Sequence, residues 1–144
     1  MTKPETAVAL FREGFSCSQG VFAAFADDLG LDRETALKLA QPFGGGIARR
    51  ADWCGALTGA FLAVGLKHGR VRAEDAAARD RTYALVNELV RRFEAAHGAV
   101  RCRDLLGCDI GTPEGQKMAE ERKLHQTTCE RLVRDAAALL EEIL

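Results

Sequence analysis

Residues 73–96, AEDAAARDRTYALVNELVRRFEAA, decide the fold class. Tyr83, Val86, Leu89, Val90 and Phe93 recur at helical spacing, giving one apolar stripe on an otherwise polar segment. Gly98 closes the run, as glycine commonly does one residue past a helix. The composition agrees: 41 Ala and Leu stand against 11 Val and Ile, which favours helices over a sandwich or barrel. At 144 residues the chain is long enough for one domain with its own core. We therefore expect residues 1–144 to form a single all-α domain, a compact bundle of seven or eight helices.

On the N-terminal side, Ala7, Leu10 and Phe11 share a face of a helix over 5–13, with Pro4 in the first turn and Gly14 at its end. A second helix over about 16–29 carries Val21, Phe22, Phe25, Ala26 and Leu29, and Gly30 stops it. Asp32 caps a third, which ends before Pro42. Phe43-Gly44-Gly45-Gly46 is the one strong loop signal. Asp52 reads as the N-cap of a helix to about Leu66, with Lys67 and His68 beside the negative end of its dipole. On the C-terminal side, Arg101 to Leu106 forms a short helix ended by Gly107. Thr112-Pro113 opens a last one, broken near Leu124 and running to Leu144.

Twenty basic residues against 21 acidic ones give a net charge of −1, so no general attraction to nucleic acid or anionic lipid is implied. The longest apolar region, Ala56 to Leu66, is too short to span a bilayer. With a polar start and no apolar signal core, a cytoplasmic location is expected, where thiols stay mostly reduced. Five cysteines in such a chain exceed what core filling calls for, and their odd number argues against a simple disulfide framework.

Chemistry therefore centres on sulfur. With Asp52 as the cap, Cys54 falls in the first turn of its helix, where free amides and the dipole favour a thiolate. Gly55, Ala56, Gly59, Ala60 and Ala63 give that helix a small-residue face, open either to a close helix or to a cofactor. His125 and Cys129 stand four apart and could ligate one metal, form an imidazole–thiolate pair, or be an exposed His and a core Cys. Cys102 and Cys108 lie across a turn without the spacing of a CxxC pair. Cys17 starts the second helix. Gly44-Gly45-Gly46 lacks the pattern of a phosphate-binding loop.

Taken together, these motifs resemble the C_GCAxxG_C_C family of redox-active proteins over nearly the full chain. Cys17 with Ser18-Gln19 is similar to the family's first cysteine region, and Phe43-Gly44-Gly45-Gly46 to its glycine loop. Cys54-Gly55-Ala56-Leu57-Thr58-Gly59 carries the CGAxxG signature. Cys102-Arg103-Asp104-Leu105-Leu106-Gly107 and Cys129 stand at the third and fourth cysteines; Cys108 is an extra one. A related domain occurs in split-Soret cytochromes, which implies electron-transfer company. This chain, however, lacks CxxCH and so has no covalent c-type haem site.

The resemblance implies that Cys17, Cys54, Cys102 and Cys129 converge in space. They would then serve either thiol–disulfide exchange with an unidentified redox partner or, with His125, the holding of zinc or an iron–sulfur cluster. Gly44, Gly45, Gly46, Gly55 and Gly59 are the candidates for lining a cofactor. Cys54 is expected to be the nucleophile and Cys108 dispensable. The competing reading is a non-catalytic binding or scaffold module, with the small-residue face and the Arg-rich helix over 73–96 as a partner or homodimer surface.

Overall fold

Local capping chemistry sets where five of the eight helices begin. In the computed structural model, which describes all 144 residues, Thr2 and Glu5 cap α1 (Lys3–Arg12) reciprocally, and Ser16 and Gln19 do the same for α2 (Cys17–Ala26). Asp32 accepts from the Thr35 amide to start α3 (Arg33–Ala40). Asp75 and Thr112 cap α5 (Ala76–His97) and α7 (Pro113–Glu121), the latter with Pro at its first position. Between them lie α4 (Gly55–His68) and the short α6 (Cys102–Leu106); α8 (Glu130–Ile143) completes eight helices. There is no sheet, only one isolated antiparallel bridge between Trp53 and Arg101. No helix is long and apolar enough to cross a membrane.

Helix α2 is the axis of the bundle. Every residue from Ser18 to Ala26 is buried, and the helix packs against α1, α3, α4 and α8. Small residues make this possible. A Cβ on Gly20 would sit 2.9 Å from the Ala7 carbonyl oxygen, and one on Gly59 would sit 2.5 Å from that of Ser18. Helix α8 closes the core with Leu132, Val133, Ala136, Ala137 and Leu140, one continuous helical stripe. The largest fully buried side chains include Phe22, Phe93, Leu57 and Leu89.

Two expectations are corrected here. Of the stripe on α5, only Leu89 and Phe93 are buried, and Tyr83 is 60% exposed, because α5 touches the bundle mainly through its C-terminal half. Asp52 does not cap α4: the cap is Cys54, and the Asp52 carboxylate instead pairs with Arg101 at 3.3 Å.

The glycine loop is the most unusual part of the backbone. Gly45, Gly46, Ile47, Ala48 and Arg49 all have φ between +51° and +71°, and Ala51 follows at +57°. This is a left-handed turn, in which each non-glycine residue costs roughly 1–2 kcal/mol. Long-looped hydrogen bonds hold it closed, from Ala51 N–H to Gly45 O at 3.1 Å and from Asp52 N–H to Gly46 O at 2.9 Å. Strain of this kind persists only where the surroundings impose it, commonly beside a functional site.

Candidate functional site

The segment after this turn is clasped antiparallel to the start of α6. Cys54 N–H donates to Val100 O at 2.9 Å, Cys102 N–H to Asp52 O at 2.6 Å, and Arg103 N–H to Ala51 O at 3.1 Å. The Arg103 guanidinium adds bonds to the carbonyls of Ala51 and Arg50. The clasp brings Cys54 and Cys102 to the same place from 48 residues apart in sequence. Cys17 arrives at the first position of α2, and Cys129 at the junction with α8.

Cys129 ends a π-helical turn over His125–Cys129, in which Glu130 N–H bonds back five residues to His125 O. A single π turn inside a helical region is frequent at functional sites. The break preceding it falls at Lys123, whose φ is +51°. His125 stacks on Phe11 with ring centroids 4.5 Å apart.

All four of Cys17, Cys54, Cys102 and Cys129 line one cavity of about 420 Å³, and His125 lines it with them. Gly45, Gly46 and Gly55 contribute backbone to the wall, whereas Leu105, Leu106, Ile110, Leu124 and Leu132 make most of it apolar. Gly59 does not line it. Its missing Cβ serves the contact with Ser18, so the small-residue face of α4 is occupied by α2 and presents no partner surface. Gly44 lies outside this cavity as well, against Ser16.

Gly55 has a sharper role. A Cβ there would overlap Cys17 Sγ outright and approach the Phe43 carbonyl oxygen at 3.1 Å. The glycine after Cys54 therefore exists in this fold so that the sulfur of Cys17 can lie beside it.

Three of the cysteines occupy helix starts: Cys17 and Cys102 open α2 and α6, and Cys54 caps α4. The thiols are nonetheless held neutral. Burial pushes Cys17 up, although the backbone amides of Gly45, Ser18, Gly55 and Cys17 itself favour a charge on its sulfur. Burial and then the neighbouring Cys17 push Cys54 far above the usual thiol range, outweighing the amides of Ala56 and Leu57. Cys102 and Cys129 are each pushed up to about 12, again by burial first and by Cys17 second. The expectation of a low-pKa Cys54 thiolate is thus overturned. Cys54 is 5% exposed, and desolvation there exceeds what the helix start supplies.

Cys17 stands close enough to the other three that a charge on its sulfur would raise each of them further. The sequence carried a signal for its position, the capping box Ser16-x-x-Gln19, which fixes Cys17 at the first turn of α2. Cys108 does not line the cavity but packs behind it, in a small cluster with Cys102, Leu106 and Ile110. No disulfide is present, and no three His, Cys, Asp or Glu side chains gather closely enough to hold a single metal ion.

A family model described as "Putative redox-active protein (C_GCAxxG_C_C)" matches residues 15–143. The chain belongs to this redox-active family. The matched span contains all five cysteines, both glycine motifs and every residue of the cavity wall except Phe11. No curated protein and no solved structure matches the chain.

Proposed function

We propose that this family member stores two electrons in a dithiol, with Cys17 as the reacting thiol and Cys54 as its resolving partner. The observation that carries this reading is the seating of Cys17 Sγ against Gly55, beside Cys54 and amid four backbone amides. Those amides make Cys17 the cysteine of the group best furnished to carry charge, and the thiolate is the form that attacks a disulfide. In the oxidative direction, Cys17 and Cys54 lose two protons and two electrons, and a bond joins their sulfurs. An external disulfide takes up those electrons and is released as two thiols. Cys102 and Cys129, in the same wall, supply a second pair to which oxidation can pass by internal exchange. A reducing cytoplasmic compartment suits a protein that works from the dithiol form.

The test is oxidation of anaerobically purified, fully reduced protein with one equivalent of a small disulfide, followed by thiol counting and peptide mapping. Loss of two thiols with a Cys17–Cys54 linkage is the expected result. Five thiols that stay unreactive in metal-free protein would overturn it in favour of the scaffold reading.

A second reading is favoured by one observation, the volume that four thiols share. An iron–sulfur centre held by Cys17, Cys54, Cys102 and Cys129 needs four thiolates spread around a space, and the donor set here matches that need. A lone zinc ion needs its ligands to meet at one point, and no three do so here. Anaerobic reconstitution with iron and sulfide, followed by absorption spectroscopy and iron counting, separates the two readings.

A further inference from the structure

Beside the cysteine cavity, on the other side of the glycine turn, lies an open groove of about 850 Å³. The two spaces share a wall made of Ser16, Gly45, Ile110, Ala119 and His125. Cys17 directly follows Ser16, so among the four cavity cysteines it is the one whose chain neighbour faces the groove.

The groove differs from the cavity in chemistry. Its polar side chains are those of Ser16, Gln19, Gln41, Arg49, Gln116 and His125, and no Asp or Glu lines it. Arg49 is the single formal cation, since burial lowers the affinity of His125 for a proton. No carboxylate pairs with Arg49, whereas the nearby Arg101 is held by Asp52. The left-handed turn presents Arg49 from a backbone at φ +64°. The Gln19 amide nitrogen is spent on Leu37 O and Gln41 Oε1. With its oxygen so occupied, Gln41 has its own amide nitrogen free to donate. A guanidinium and an amide N–H, unmatched by any acid, form a receptor for a carboxylate.

We propose that this groove is the access route to Cys17 and selects a small disulfide that carries a carboxylate, bound by Arg49 and Gln41. The proposal rests on the thiol-exchange reading and names its substrate class. With the carboxylate anchored, the Cys17 thiolate attacks the nearer sulfur and forms a mixed disulfide. The other half leaves as a thiolate, which takes a proton from solvent. Cys54, losing its proton, then attacks Cys17 Sγ. The second half departs as a thiol, and the protein retains the Cys17–Cys54 disulfide.

The experiment compares three disulfides of similar size with the fully reduced protein: dithiodipropionate (dianionic), bis(hydroxyethyl) disulfide (neutral) and cystamine (dicationic). Rates are followed by release of thiol at low and high salt. The expected order is dianion, then neutral, then dication. The dianion's advantage over the neutral compound should be about tenfold, as one charge-assisted contact supplies, and should shrink as salt screens it. Arg49→Ala should abolish that ratio, Arg49→Lys should keep most of it, and Arg49→Glu should reverse it. The salt series on the unaltered protein needs no variant to fold. Reaction with all three disulfides at rates indifferent to charge and salt, or a preference for cystamine, would overturn the subsite alone. Reaction with none of them would overturn the thiol-exchange reading and the subsite together.

Discussion

The sulfur of Cys17 lies in the space that a side chain on residue 55 would fill. This relationship joins the two conspicuous sequence motifs of the chain, the first cysteine and the glycine of the Cys-Gly-Ala signature, and gives the glycine a steric reason. Gly55→Ala should therefore move Cys17 or tilt α4, with a cost of about 1–3 kcal/mol as for other overpacked sites. Urea denaturation gives the stability change. The Cys17–Cys54 disulfide yield after mild oxidation should fall in parallel. Unchanged values for both would show that the neighbouring atoms yield freely.

Alkylation should follow the burial and the nearby backbone amides of each sulfur rather than helix position alone. Burial pushes all three of Cys17, Cys54 and Cys102 up, but Cys54 is 5% and Cys102 is 9% exposed, whereas Cys17 is half-buried and has the most backbone amides favouring a charge on its sulfur. Under limited iodoacetamide at neutral pH, Cys17 should be modified before Cys54 and Cys102. Peptide mapping by mass spectrometry reads the order. Labelling of Cys54 ahead of Cys17 would restore the helix-start argument that burial displaces here.

Stability should fall on the alkaline side. Cys102 and Cys129 ionise near 12 in the folded protein and near 9 when unfolded, so above pH 9 the unfolded chain releases protons that the folded one retains. The stability these thiols contribute is complete below about 9 and is lost as pH climbs toward 12. Melting temperature should drop steadily across that window. A Cys102→Ala, Cys129→Ala double variant should show a shallower slope, whatever its absolute stability.

Cys108 packs behind the cavity wall without reaching the cavity. Cys108→Ala should therefore leave disulfide formation between Cys17 and Cys54 intact. Its half-buried side chain should cost about 1 kcal/mol or less on removal, as small truncations at incompletely buried sites do. Loss of the Cys17–Cys54 linkage in this variant would place Cys108 within the redox set.

Much of the fold was legible locally because its signals are local. The stripes on α2 and α8, the caps at Asp32 and Thr112, and the stops at Gly30, Gly98 and Gly107 depend on neighbours a few residues away, and these appear where the spacing puts them. Asp52 failed as a cap because its carboxylate meets Arg101, 49 residues later, through a clasp that no local pattern announces. Tyr83 failed as a core residue for the same kind of reason. Amphipathic spacing tells which face of α5 could be buried, but only the reach of α4 and α8 decides how much of that face is covered.

The sequence by itself determined that this is an all-helical chain, and which cysteines and glycines belong together as motifs, since both are patterns along the chain. Only the tertiary structure decided what those sulfurs experience. The charge on a thiol depends on water, amides and other thiols within a few ångströms. For Cys17, Cys54, Cys102 and Cys129 those neighbours come from segments far apart in sequence, gathered around one apolar cavity. The left-handed turn at Gly45–Arg49 belongs to the same category. Three glycines permit such a turn, but the surrounding helices and the clasp at Ala51 to Arg103 hold Ile47, Ala48 and Arg49 in it, against their own preference.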